Sequence, residues 1–174
     1  MFQIGGYVTY RAEGVCVIRD IREECFGGTG MGESYYVLVP LNDERSTIFV
    51  PVANEKLVGM MRPLLSSSEI VALTKELGEE RLSWLPDSRS RSTMFRDILA
   101  GGDPRELIVL ANTIRERAEC EMERGKRPTG TDLAAKARAE KLLLDEFSAT
   151  TDLTSVEQIT PLLRGELIPE ARGT

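Results

Sequence analysis

The sequence predicts an α+β chain of two domains, a small N-terminal β barrel followed by an all-α helical bundle. Three observations predict it. The first sixty residues are rich in Val, Ile, Tyr and Phe, broken by Gly and Asn/Asp, with no sustained helical period. From Ser66 onward apolar residues recur at helical spacing. The 174 residues, 41% hydrophobic and 29% charged, have a globular composition that accommodates two small domains. The expected boundaries are 1–64 for the β domain, 65–165 for the helical domain and 166–174 for a loose tail.

Strands are expected near Tyr7–Tyr10, Val15–Cys25, Tyr35–Leu41, Ser46–Val50 and Lys56–Met60, joined by Gly14, the glycine-rich 27–32 loop and an Asn42-Asp43 turn. Five short strands suggest a compact barrel. The run Val15 to Ile18 is apolar on both faces and therefore reads as buried, with Cys16 a small core residue. Pro51 ends its strand or sits at an edge. In the second half, Ser66–Ser68 offer N-caps for a helix whose Ile70, Leu73 and Leu77 share one face. Trp84–Arg89 is a turn-like entry, Pro86 discouraging helix at Leu85, to a helix through Phe95, Ile98 and Leu99 ending at Gly101-Gly102. Asp103 as N-cap, Pro104 at N1 and Glu106 at N3 open the clearest helix, with Leu107, Leu110, Ala111, Ile114 and Ala118 at helical spacing. After Lys126–Gly130 a further helix starts at Thr131 or Asp132 and carries Leu133, Ala137, Leu142, Leu143 and Phe147. Thr154–Leu163 can form a short last one.

Composition removes much of enzymology. There is no histidine, so imidazole triads and His-containing metal sites are excluded. Cys16, Cys25 and Cys120 lack CxxC spacing and fit reduced thiols in the cytoplasm better than a disulfide frame. No apolar run approaches the roughly 20 residues that cross a bilayer, and the start Met1-Phe2-Gln3-Ile4-Gly5 lacks signal-peptide character. Paired carboxylates such as Glu23-Glu24 and Glu79-Glu80 read as solvated turns rather than an acid and base. The stretch Gly27–Gly32 is followed by no Lys-Ser/Thr and reads as a hairpin loop rather than a phosphate cradle. No catalytic residue, metal site or cofactor is expected.

The formal charge of −6 argues against a protein that coats nucleic acid nonspecifically. Its distribution is uneven. Residues 1–66 carry 6 Lys/Arg against 8 Asp/Glu, and 67–80 carry 1 against 4. Residues 81–147 carry 13 against 12, and 148–174 carry 2 against 4. Within the one block that is not acidic, Arg81, Arg89, Arg91 and Arg96 face only Asp87 across 81–96, beside Trp84, the only tryptophan. Trp84 in such a turn is either an apolar wedge or stacking group against DNA bases, or a core residue packing the first helices. The mixed-charge helix bearing Arg115, Arg117 and Arg124 is a solvated face, some of whose arginines can reach phosphate.

Four blocks in collinear order resemble the CarD-like family of bacterial transcription regulators. They are Phe2 to Tyr10 followed by Gly14 to Ile18; Tyr35-Tyr36-Val37-Leu38; Thr47 to Asn54; and Trp84, Arg89, Arg91, Gly102-Asp103 and the Ala137–Phe147 helix. The resemblance implies a Tudor/SH3-like barrel, similar to the RNA-polymerase-interaction domain of the transcription-repair coupling factor, that docks on the polymerase β subunit through Ile48, Phe49, Val50 and Pro51. It also implies a helical domain at the upstream edge of the promoter bubble, with Trp84 in the minor groove and Arg89, Arg91, Arg127 and Arg138 on phosphate. Phe49 stands where well-studied members carry a basic residue. The function so implied is non-enzymatic modulation of open-complex stability, with no small-molecule substrate and no membrane partner. The alternative is a protein-protein interaction module without direct DNA contact.

Overall fold

The computed structural model describes residues 1–26 and 32–172, and the chain divides into two units, Met1–Leu64 and Leu65–Thr174. The fold is α+β: a five-stranded antiparallel sheet, then helices. No helix among the described residues is long and apolar enough to cross a membrane.

In the first unit the strands are β1 (Tyr7–Tyr10), β2 (Val15–Glu24), β3 (Glu33–Pro40), β4 (Ile48–Pro51) and β5 (Met61–Arg62), in the order β4-β3-β2-β1-β5. Among the described residues no pairing joins β4 to β5, so the sheet stays open where a closed barrel was expected. The β1–β2 turn needs Gly14 at φ +74°, a conformation L side chains rarely adopt, and Tyr10 N donates to Gly14 O at 2.9 Å. The β2–β3 register shifts between Ile18 and Asp20, an irregularity of the kind that bends a strand. Val8, Tyr10, Cys16, Ile18, Tyr36, Leu38, Val50 and Met61 form the unit's core. Burial, with Glu13 adding to it, pushes the Cys16 thiol up to about 12, which makes it an inert packing group.

The expected strand Lys56–Met60 is instead a helical turn, α1 (Glu55–Val58), and the last strand begins at Met61. The reason is local. The Asn54 side chain accepts from Leu57 N at 3.1 Å, capping a turn that the apolar residues alone would have left extended. Of the glycine-rich 27–32 loop, residues 27–31 lie outside the described residues.

The second unit contains α2 (Ser67–Glu76), α3 (Ser88–Gly101), α4 (Pro104–Glu123), α5 (Gly130–Phe147) and α6 (Ile159–Leu163). Each long helix has a side-chain N-cap: Ser66 in a reciprocal box with Glu69, Asp87, Asp103 ahead of Pro104, and Thr129. Gly102 ends α3 in the left-handed region at φ +68°. Phe95, Ile108, Leu110, Ile114, Leu143, Phe147 and Ile159 are the fully buried centre of the core. Burial of each such side chain contributes about 1.5–3 kcal/mol.

Two expectations change here. Leu133 and Ala137 face solvent, and α5 buries Asp132, Ala139, Leu142, Leu143 and Phe147. The stripe of Ala139, Leu142, Leu143 and Phe147 sets this rotation, and Asp132 lies in line with it. The tail is not loose through Arg172. Thr151 bridges Ala171, Asp152 N donates to Glu170 O at 3.0 Å, Arg172 N to Thr150 O at 2.9 Å, and Ser67 Oγ to Pro169 O at 2.9 Å. These bonds occupy backbone groups that a frayed end would leave to water.

The caps carry a pH dependence. Hydrogen bonds from Ser90 hold the Asp87 carboxyl below the usual aspartate range, and those from Ser66 do the same for Glu69. A depressed carboxyl stabilises the fold above its unfolded pKa and loses that contribution as pH falls through the lower folded value. Urea unfolding is therefore expected to show stability declining below about pH 4. Asp87→Asn keeps a capping oxygen but removes the proton linkage. Its deficit against wild type is expected to narrow steadily between neutral and acidic pH, and a constant deficit would contradict the assignment.

Candidate functional site

The segment between α2 and α3 is strapped onto α4. Leu82 N donates to Thr113 Oγ1 at 2.9 Å, Arg81 Nη1 to Gly78 O at 2.8 Å, and Arg81 Nε to a Glu116 carboxylate oxygen. This strap delivers Trp84 to the bundle surface, half-buried, with Phe95 beneath it at 6.3 Å between ring centroids. Two guanidinium groups stand over the indole, Arg91 at 4.5 Å and Arg117 at 5.2 Å. Each such contact is worth about 0.5–2 kcal/mol, rising as water is excluded.

Arg91 is the keystone of this arrangement. Its side chain is 6% exposed, as is that of Asp132, and the two meet through three contacts of 3.0 to 3.2 Å. Its Nη1 also donates to Leu85 O at 2.8 Å and Pro86 O at 3.3 Å. The planar fork is thereby used to join α3, α5 and the strap under the indole, a task that lysine's single ammonium cannot match. Arg91 is consequently spent inside the protein and is not presented to an external phosphate.

The other predicted cations are outside. Arg89 is exposed on the first turn of α3, Arg127 is exposed in the loop before α5, and Arg138 is exposed on α5. The Arg91–Asp132 pair sets the first turns of α3 and α5 side by side, so Arg89 and Arg127 lie at the same end of the bundle as Trp84. Arg138 is six residues past Asp132, about 9 Å further along the helix. A groove of about 250 Å³ borders the indole, lined by Arg81, Trp84, Thr113, Glu116, Arg117 and Cys120. Arg117 is the residue that sequence reading left among the solvated arginines. Nothing in its local sequence marks it, since Trp84 lies 33 positions away.

In the β unit, β4 is an edge strand paired only with β3 among the described residues. Val50 is fully buried, and Ile48, partly buried, packs on the same core. Phe49 points to the opposite face. Its ring meets Phe26 at 5.0 Å and Tyr35 at 6.2 Å, with the Arg22 guanidinium at 5.8 Å. Phe26 is 58% exposed, so this aromatic group is open to the outside. Val52 N donates to Ser34 O at 2.8 Å. Antiparallel alternation then gives Val50 and Ile48 the bonds to β3 and leaves the Phe49 N–H and C=O at the open edge. Pro51, next along, has no N–H to leave unpaired there.

Residues 2–65 match the family model described as the CarD-like/TRCF RID domain. No curated protein matches the chain.

Proposed function

We propose, from the match of residues 2–65 to the CarD-like/TRCF RID domain, that the chain is a non-enzymatic transcription regulator that interacts with RNA polymerase and acts on the promoter open complex. The β unit is a Tudor-like module that docks on the polymerase β subunit by strand addition at β4, and the helical unit touches promoter DNA at the upstream edge of the bubble. The observation that carries the reading is the β4 edge inside the family-matched segment, open among the described residues, with the Phe49 amide and carbonyl facing outward and the exposed Phe26 ring beside Phe49. Main-chain bonds along such an edge supply affinity, and side chains beside it supply register.

For DNA, support comes from the half-buried Trp84 flanked by guanidinium groups, with Arg89, Arg127 and Arg138 exposed on the same unit. Phosphate contacts by a few cations make affinity modest and salt-sensitive in a chain of net charge −6. Arg91 positions Trp84 instead of contacting phosphate. That burial also favours a second reading, a protein-protein module whose helical half binds no DNA, because it removes one of the expected contacts.

Binding of the purified polymerase β subunit is the direct test. Phe49→Ala is expected to weaken it at least tenfold, about 1.4 kcal/mol, as loss of a central aromatic anchor does. Phe49→Pro is expected to weaken it further, since it removes the outward N–H without removing a bond to β3. Undiminished binding by both variants, with the β unit folded, would place the polymerase contact elsewhere.

A further inference from the structure

Away from Trp84's own groove, the helical unit has a cavity of about 620 Å³ between the end of α2, the middle of α4 and the residues after α6. Lys75, Arg81, Arg115 and Arg164 line it together with apolar Val71, Leu163 and Leu167, against the carboxylates of Glu79 and Glu166. Two of its guanidinium groups are already engaged: Arg81 with Glu116, and Arg164 with Glu119.

Arg115 is different. It is half-buried, and among the described residues no carboxylate comes within ion-pair distance of it. Its one hydrogen bond is from Nη2 to Asn112 Oδ1, at 3.1 Å. Its Nε is buried with no partner, and so is the Nδ2 of Asn112, a residue with no exposed surface. Burial lowers the pKa of Arg115; the charge of Arg164 adds to this, and then Arg81, while the carboxylates of Glu119 and Glu116 oppose it. A half-buried guanidinium whose Nε is buried without a partner carries a desolvation cost that an anion bound beside it offsets.

We propose that this cavity binds a small organic oxyanion, a phosphate or carboxylate head held by the Arg115 guanidinium with Arg164 and Lys75 beside it, and an apolar body against Leu163 and Leu167. Guanidinium forks match both head groups, and the mixed apolar and cationic lining suits an amphipathic ligand better than a bare ion. This site is separate from the surfaces assigned to polymerase and DNA. Arg81 nevertheless lines both this cavity and the Trp84 groove, so occupancy can alter the ion pair that straps the Trp84 segment to α4.

The test is thermal unfolding of the full chain, followed by the emission of its single tryptophan, at fixed ionic strength in chloride. The added probes are adenosine monophosphate, octanoate and inorganic phosphate. At least one organic anion is expected to raise the midpoint by about 3 °C or more at saturation, and the better of the two identifies the head group. Arg115→Met is expected to abolish the shift, measured against its own midpoint without ligand, which the loss of the bond to buried Asn112 Oδ1 lowers. Arg115→Lys is expected to keep only part of the shift, and Arg45→Ala, in the other unit, all of it. No shift from any probe beyond chloride overturns the proposal. So does an equal shift in wild type and Arg115→Met, which would locate the anion elsewhere, or a shift from inorganic phosphate alone, which would deny the apolar subsite.

Discussion

Arg91→Met is expected to destabilise the helical unit by about 3–5 kcal/mol, the cost of leaving one member of a buried ion pair uncompensated. The Asp132 carboxylate would remain 6% exposed with no cation, and the Leu85 and Pro86 carbonyls would lose their donor. Only the helix N-terminus on which Asp132 sits would still favour its charge, by a fraction of a kcal/mol up to about 1. Arg91→Met/Asp132→Leu should recover most of the loss, since an apolar pair of similar volume removes both desolvation penalties. Urea unfolding of wild type, Arg91→Met, Asp132→Leu and the double variant gives the coupling directly, provided m is unchanged. A loss below about 1 kcal/mol in the single variant would mean that the pair is solvated and that Trp84 is held by its packing on Phe95 alone.

This pair also explains which parts of the molecule were legible in the sequence. Helix α4 was readable from end to end because its determinants are local: Asp103 caps, Pro104 sits at N1, and the apolar period runs unbroken to Ala118. Strands β1 to β4 and the buried Cys16 were readable for the same reason. Helix α5 was readable as a helix, but the partner of its buried acid was not. Leu133 lies off the stripe of Ala139, Leu142, Leu143 and Phe147 and faces outward, while Asp132, in line with that stripe, meets Arg91, 41 positions earlier. The turn at Glu55–Val58 shows the opposite failure, where one capping side chain outweighed a strand-like run of Leu, Val and Met. The tail was misread because its partners, Ser67, Thr150 and Asp152, are distant in sequence and polar.

The candidate site divides along the same line. Trp84, Arg89 and the edge strand at Phe49 stood out by residue type and neighbourhood. Whether an arginine serves the inside or the outside did not. Arg89 and Arg91 are two positions apart on one helix, hence on different faces, and only the tertiary structure assigns one to solvent and the other to Asp132. Arg117 over Trp84 and Arg115 in its cavity are both products of how α4 meets the strap, and one amphipathic pattern covers them equally.

Trp84→Ala is expected to abolish any effect of the protein on open-complex occupancy while leaving polymerase binding intact, because β4 lies in the other unit. The ring is half-buried and touches Phe95, so truncation also costs stability, about 1–3 kcal/mol. Loss of effect counts only if urea unfolding shows the variant folded under assay conditions. The wild-type protein offers a second readout, since Trp84 is its only tryptophan. A side chain that intercalates at an unstacked step binds that state better than closed duplex, and it can shift melting only by that difference in affinity. Titration with a double-strand/single-strand junction is therefore expected to quench Trp84 emission at a concentration at least tenfold lower than matched duplex, a difference of about 1.4 kcal/mol. Arg89→Glu should weaken both DNAs alike and flatten their salt dependence, as the loss of a phosphate contact does. Equal response to the two DNAs would reduce Trp84 to a packing residue with cations nearby. No response to either, with polymerase binding retained, would leave the helical unit as a protein-binding module, for which the buried Arg91 would then be scaffold alone.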